Sequence, residues 1–219
     1  AFDPTLGVLS ERWGFGASGR RSDVPDEIAV DEARARTGWW RVRIDPSRRA
    51  ICQPGGVALD LCAIAKGFAV DLVSETLSKH GVVDHLVEIG GELRGSGTKP
   101  DLSPWWVEIE GAPDIVVALH GLALATSGDA RRFIDHDGRR LSHTLDPRTG
   151  RPIPDALTSV TVVALSCMKA DALATALSVL GPEEGMQYAR KRGIAARFAI
   201  RSANGLVERV TPAFAEMLG

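Results

Sequence analysis

Between residues 82 and 128 the chain runs through successive strand-like stretches with no helical stretch among them. "VVDHLVEIGGELRGSG" alternates apolar and polar residues and breaks at glycines, "WWVEIE" alternates again, and "IVVALHGLALATSG" supplies more apolar strand sequence. Strands that come in runs, with helices interrupting rather than regularly alternating, predict an α+β domain: a mainly antiparallel sheet with packed helices, not a parallel βαβ array.

The helices stand on either side of this run. "AKGFAVDLVSETLSKHG" places Phe68, Leu72, Val73 and Leu77 at helical spacing, with Gly81 as its stop. Before it, "GGVALDL" reads as a strand, so residues 56–81 are expected to form strand, tight turn and helix. After the Gly- and Pro-punctuated segment 135–154 comes "LTSVTVVAL", rich in β-branched residues and read as a strand. "CMKADALATALSVLG", residues 167–181, reads as a buried helix, followed by an amphipathic one around 183–192. Asn204-Gly205 between two alternating runs predicts a hairpin. Nearer the start, "WGFG" is turn-rich and "DEIAVDEARART" has the charge spacing of an exposed helix.

A chain of 219 residues with 44% hydrophobic content is long enough for a sizeable core, and one domain over residues 1–219 is the simplest expectation. A net charge of -2 offers no long-range attraction for polyanions, which argues against nucleic acid as a partner but leaves room for a local anion site. Cys52, Cys62 and Cys167 are odd in number and scattered, matching neither a disulfide framework nor a zinc-ligand spacing, so they read as small buried apolar residues. No stretch reads as a transmembrane segment, "AFDPTLG" does not read as a secretory signal, and there is no repeat or heptad pattern.

Several residues invite chemistry, each with a plainer alternative. Asp171 and Thr175 lie four apart and project from one side of a helix otherwise built of Ala and Leu. They fit a helix-dipole partner and a hydroxyl bonded back to a carbonyl. They also fit a hard-cation site, since Mg²⁺ takes oxygen ligands with only one or two carboxylates. Lys66 fits a surface lysine at a helix start or a cation beside a phosphate, although the P-loop spacing is absent. His143, between Ser142 and the "DPRTG" loop, fits a structural histidine or a group that accepts a hydroxyl proton. "GGEL" at 90–93 fits a tight strand reversal. Arg131, Arg132, Arg139 and Arg140 fit solvated charge.

In order along the chain, "AFDPT", "WGFG", "DLCAIAKGFAVD", "EIGGELRGSG", "ATSGD", "SHTLDPRTGRPI" and "SVTVVALSCMKADALATALSVLG" closely resemble the ApbE family of FAD:protein FMN transferases. The resemblance implies Mg²⁺ held by Asp171, Thr175 and the carbonyl of Ala63, with FAD as the substrate. It implies flavin-nucleotide contacts from Ala1, Phe2, Asp3, Lys66 and Thr144, the last standing where the family commonly has an aliphatic residue. Catalytic roles fall to Asp171, through the metal, and to His143, which would draw the proton from the acceptor hydroxyl. Asp129 would orient the loop.

The implied reaction attaches FMN through a phosphoester to a Thr or Ser of an acceptor flavoprotein and releases AMP. Two other functions remain open on the residues alone: an FAD pyrophosphatase that gives FMN and AMP, and a non-catalytic FAD-binding scaffold. The chain starts inside the "AFDPT" motif, so the family's N-terminal segment is expected to be lacking and the isoalloxazine pocket incomplete. The resemblance suggests an extracytoplasmic, membrane-associated location, while the unpaired cysteines fit a cytoplasmic one equally well.

Overall fold

The structure is a computed structural model that describes residues 1–19, 23–128, 133–155 and 157–217. It divides into two compact units, one of Ala1–Leu61 with Arg131–Asp155, the other of Cys62–Ala130 with Ala156–Gly219. The first 61 residues supply helices α1 (Gly7–Arg12) and α2 (Glu27–Arg34) and the hairpin of β1 (Arg43–Asp45) and β2 (Ala50–Cys52). Next come α3 (Ala65–Lys79), β3 (His85–Ile89), β4 (Glu92–Ser96), β5 (Trp105–Ile109), β6 (Ala112–Leu119) and β7 (Ala123–Gly128). Four short strands return to the first unit: β8 (Phe133–His136), β9 (Arg139–Ser142), β10 (Leu145–Asp146) and β11 (Arg151–Pro152). The chain closes with β12 (Leu157–Ala164), α4 (Cys167–Lys191), β13 (Ala195–Ser202), β14 (Gly205–Val210) and α5 (Pro212–Ala215).

The expected α+β class holds. In the second unit a six-stranded antiparallel sheet runs in the order β14-β13-β12-β7-β4-β3. Period-two alternation gives it two apolar faces. Ala125, Val160, Val162, Ala196 and Phe198 pack against Ala170, Ala174, Leu177 and Met186 of α4. On the other face Leu124, Val163 and Ala195 meet Val107, Ile109, Val117 and Leu119 of the β5–β6 hairpin and Phe214 of α5. Val70 of α3 joins Val87, Ala123 and Cys167. The two helices expected at 167–181 and 183–192 are both present within α4, separated by a kink at Gly181, whose φ of 80° is left-handed and precedes Pro182.

The first unit has its own core, in which Leu6, Leu9, Trp13 and Phe15 pack with Val30, Ala33 and Leu145. The expected exposed helix is α2, started by Asp26, whose side chain accepts the Ala29 N–H at 2.8 Å. The Trp13 indole N–H donates to the Gly150 carbonyl at 2.8 Å and so anchors the "DPRTG" turn.

Three expectations are corrected. "GGVALDL" joins no sheet among the described residues; its backbone pairs with the chain start instead, Gly7 N–H donating to the Ala58 carbonyl at 3.1 Å and Asp60 N–H to the Pro4 carbonyl at 2.8 Å. On α3 the buried face is Gly67, Val70, Asp71 and Ser74, whereas Phe68 is 54% and Leu72 50% exposed and Val73 is exposed too. Close helix approach and hydrogen bonding choose that face, and hydrophobic spacing does not see either. Cys52 and Cys62 are exposed, and only Cys167 is buried. The expected last hairpin does form, pairing Ser202 with Gly205 around the two-residue loop Ala203-Asn204.

Candidate active site

The N-termini of α3 and α4 meet in the second unit, and glycine makes that possible. A Cβ on Gly67 would stand 2.4 Å from the Cys167 carbonyl oxygen and 2.8 Å from the Asp171 Cβ, so no other residue fits at this crossing. Each helix then hands the other a carboxylate. Asp71 of α3 accepts from the first two amides of α4, Cys167 at 2.9 Å and Met168 at 3.0 Å, and also from the Ser166 hydroxyl at 2.8 Å and Arg94 at 2.5 Å. Asp171 of α4 accepts from Gly67 N–H at 2.9 Å.

The two carboxylates are tuned in opposite directions. Burial alone would raise Asp71, but the Met168 and Cys167 amides, with Ser166 and Arg94, hold it below the ordinary range. Asp171 is raised by burial, which the Gly67 amide and the Lys66 charge only partly offset. An under-compensated buried carboxylate is where a cation would bind with most effect.

Two further oxygens that the sequence singled out are uncommitted among the described residues. Thr175 is partly buried and, among the described residues, its hydroxyl makes no hydrogen bond; the back-bond to a helical carbonyl that sequence allowed belongs instead to Ser178, on Ala174 at 2.8 Å. Because Gly67 N–H goes to Asp171, it does not close a turn on Ala63, and that carbonyl accepts no backbone hydrogen bond among the described residues. Carboxylate, hydroxyl and carbonyl are the hard oxygen donors that suit Mg²⁺. Among the described residues no three His, Cys, Asp or Glu side chains cluster as a metal site, and a magnesium site with one or two carboxylates requires no such cluster.

Lys66, in the first turn of α3, pairs with Glu92, the first residue of β4. Glu92 is almost wholly buried and its carboxyl is raised, first by burial and also by the Asp171 charge, against the pull of Lys66. Neither Glu92 nor Asp71 was singled out in the sequence. Glu92 follows the Gly90-Gly91 reversal, which does form the expected tight turn with φ of 65° and 98°, and its chemistry depends on a partner 26 residues away. Cys167 lies beside these groups, but burial, with the charges of Asp71, Glu92 and Asp171, pushes its thiol up to about 12, so it is no nucleophile.

The remaining sequence candidates lie in the first unit. The Asp3 carboxylate is a structural anchor, accepting from the Thr5 amide at 2.9 Å, the Thr5 hydroxyl at 2.7 Å and the Trp39 amide at 3.1 Å. Ala1 is exposed and Phe2 partly so. His143 is partly buried, its ring edge-on to Phe15 with centroids 6.3 Å apart. Thr144 is buried, its amide donating to the Ser142 hydroxyl at 3.1 Å and its carbonyl accepting from Ile153 at 2.9 Å, so its contacts run through the backbone. Asp146 orders the loop by accepting from Arg148 through backbone and guanidinium. Asp129, Arg131 and Arg132 lie outside the described residues.

Compared with known proteins, the chain matches the model of the ApbE family over residues 1–198. The chain belongs to the ApbE family. Its whole length aligns with 67% of the FAD:protein FMN transferase of Vibrio cholerae at 38% identity, and with 65% of that of Escherichia coli K12 at 34%. Among solved structures, the apo flavinyl transferase ApbE of Pseudomonas stutzeri superimposes with a TM-score of 0.91 at 47% identity, over all of this chain and 69% of that one. The Vibrio cholerae flavin transferase ApbE gives 0.90 at 37%, over all of this chain and 71% of that one. This ApbE chain thus spans about two thirds of the length of the curated relatives it matches.

Proposed function

We propose that this chain carries the FAD:protein FMN transferase activity for which its relatives are named, moving FMN from FAD onto a Thr or Ser hydroxyl of an acceptor flavoprotein and releasing AMP. The observation that carries the reading is Asp171: buried, raised, held among the described residues by one amide at the start of α3, and on the helix that also bears the Thr175 hydroxyl, uncommitted among those residues. Asp171, Thr175 and the Ala63 carbonyl would hold Mg²⁺. When bound, that ion neutralises diphosphate charge and makes the phosphorus more electrophilic.

The chain's own groups have distinct tasks in this reading. Lys66 sets a cation against the phosphates, and because its side chain is 45% exposed it keeps donors available for them. The acceptor oxygen bonds to the FMN phosphorus as the bridging P–O bond to AMP breaks, and His143 takes the hydroxyl proton. Ala1, Phe2, Asp3 and Thr144 contact the flavin nucleotide, Thr144 through its backbone.

The test is to incubate the protein with FAD, Mg²⁺ and an acceptor bearing an Asp-x-x-[ST]-G-A-[ST] target. Covalent flavin fluorescence on the acceptor with AMP in solution is expected. FMN and AMP without labelling would mean hydrolysis, and bound FAD without AMP would mean a binding protein.

A further inference from the structure

Glu92 is 1% exposed, yet only one of its carboxylate oxygens is satisfied. Oε1 accepts from the Lys66 ammonium, and Oε2 has no hydrogen-bond partner among the described residues. A carboxylate buried with one partner is costly for a fold to keep, and its persistence calls for a physical role.

The local backbone serves this pair. β3 and β4 are joined by Gly90-Gly91, Ile89 pairing with Glu92, so the reversal sets Glu92 at the head of its strand. A Cβ on Gly90 would lie 3.4 Å from the Lys66 Cδ, so the lysine stem rests on a turn that carries no side chain. Lys66 is therefore tethered from its buried side while nearly half of its side chain remains exposed. One of its three donors is taken by Glu92 and the others are left for an anion.

We infer that Glu92 is the positioning residue that fixes the Lys66 ammonium against the diphosphate of the dinucleotide. The inference rests on the transferase reading for the identity of that anion. Without Glu92 the four-carbon stem of Lys66 samples several rotamers, and binding the phosphates must order it again. In this role Glu92 acts through its ion pair with Lys66, and the double-variant comparison separates that route from its charge on Asp171 and from general support of the fold.

Glu92→Gln and Glu92→Ala are made alone and combined with Lys66→Met, and kcat/KM for FAD is measured by AMP release. Glu92→Gln is expected to lower kcat/KM by about 10- to 100-fold in the native background and to change it less than about twofold when Lys66 is already Met. The Lys66 side-chain order parameter, read from its 13Cε resonance, is expected to fall in Glu92→Gln; this readout needs no turnover. Losses that multiply in the double variant overturn the inference, as does a Lys66 equally mobile with and without the Glu92 charge. If the native protein releases no AMP, the transferase reading fails, and the order parameter still decides whether Glu92 fixes Lys66. Should Glu92→Ala fail to fold, the near-isosteric Gln variant carries the test.

Discussion

Asp71 and Asp171 cap each other's helices. Asp71 of α3 accepts the first amides of α4 at 2.9 and 3.0 Å, and Asp171 of α4 accepts the Gly67 amide of α3 at 2.9 Å. The exchange locks two helix N-termini, the positive ends of their dipoles, into one crossing in which each is met by a carboxylate of the other helix.

Asp71→Ala should be strongly destabilising. It orphans two buried amides and the Arg94 guanidinium, and loss of one partner of such a pair costs about 3 kcal/mol, to be read from urea unfolding. The Asp71 carboxyl is lowered in the folded state, so its contribution is fully present above the unfolded pKa and is lost as pH falls through the folded one. The native protein should therefore lose stability on acidification more steeply than Asp71→Ala.

Asp171→Asn should act in the opposite sense on the fold. The Asp171 carboxyl is raised, so its contribution is present below the unfolded pKa and is lost as pH rises through the folded one. At neutral pH the amide keeps an acceptor for Gly67 without the buried charge. The metal-free variant is expected to melt higher than the native protein, while Mg²⁺-dependent turnover of FAD is abolished. A variant that melts lower, or that turns over normally with Mg²⁺, contradicts the assignment.

Gly67→Ala should cost about 1 to 3 kcal/mol, because the new methyl meets the Cys167 carbonyl at 2.4 Å and backbone cannot yield as a side-chain end does. Separation of α3 from α4 also pulls the Asp171 carboxylate from the Gly67 amide, so under the proposed function Mg²⁺ binding, followed by calorimetry, should weaken along with the melting temperature.

Thiol labelling should distinguish the three cysteines. Cys52 and Cys62 are exposed, whereas Cys167 is buried with its thiol pushed up to about 12. Iodoacetamide on the native protein at mildly alkaline pH should modify the first two, and the third only after unfolding, as mass spectrometry of the peptides would report.

Trp13→Phe should remove the hydrogen bond to the Gly150 carbonyl while retaining most of the packing in the first core. The expected loss is about 1 kcal/mol, with faster amide exchange over residues 144–153, the segment that holds Thr144 and Asp146.

Local pattern was enough for much of this molecule. Alternation in β3 to β7, β12 and β13, the Gly90-Gly91 reversal, the break at Gly181-Pro182 and the final hairpin are near-neighbour effects, and they imply an antiparallel sheet with helices before any coordinates. The motifs around Asp171, Lys66 and His143 were legible for the same reason, since each is a short string. What tertiary structure alone decided is which face each helix buries and what each charge meets. The α3 helix hides Gly67 and Asp71 and exposes Phe68 and Leu72, because a close helix crossing and two carboxylate caps outweigh hydrophobic spacing. Glu92 finds Lys66 across 26 residues, and Asp71 finds the α4 amides across nearly a hundred. Burial and electrostatics depend on separation in space, which sequence periodicity within a single element does not encode.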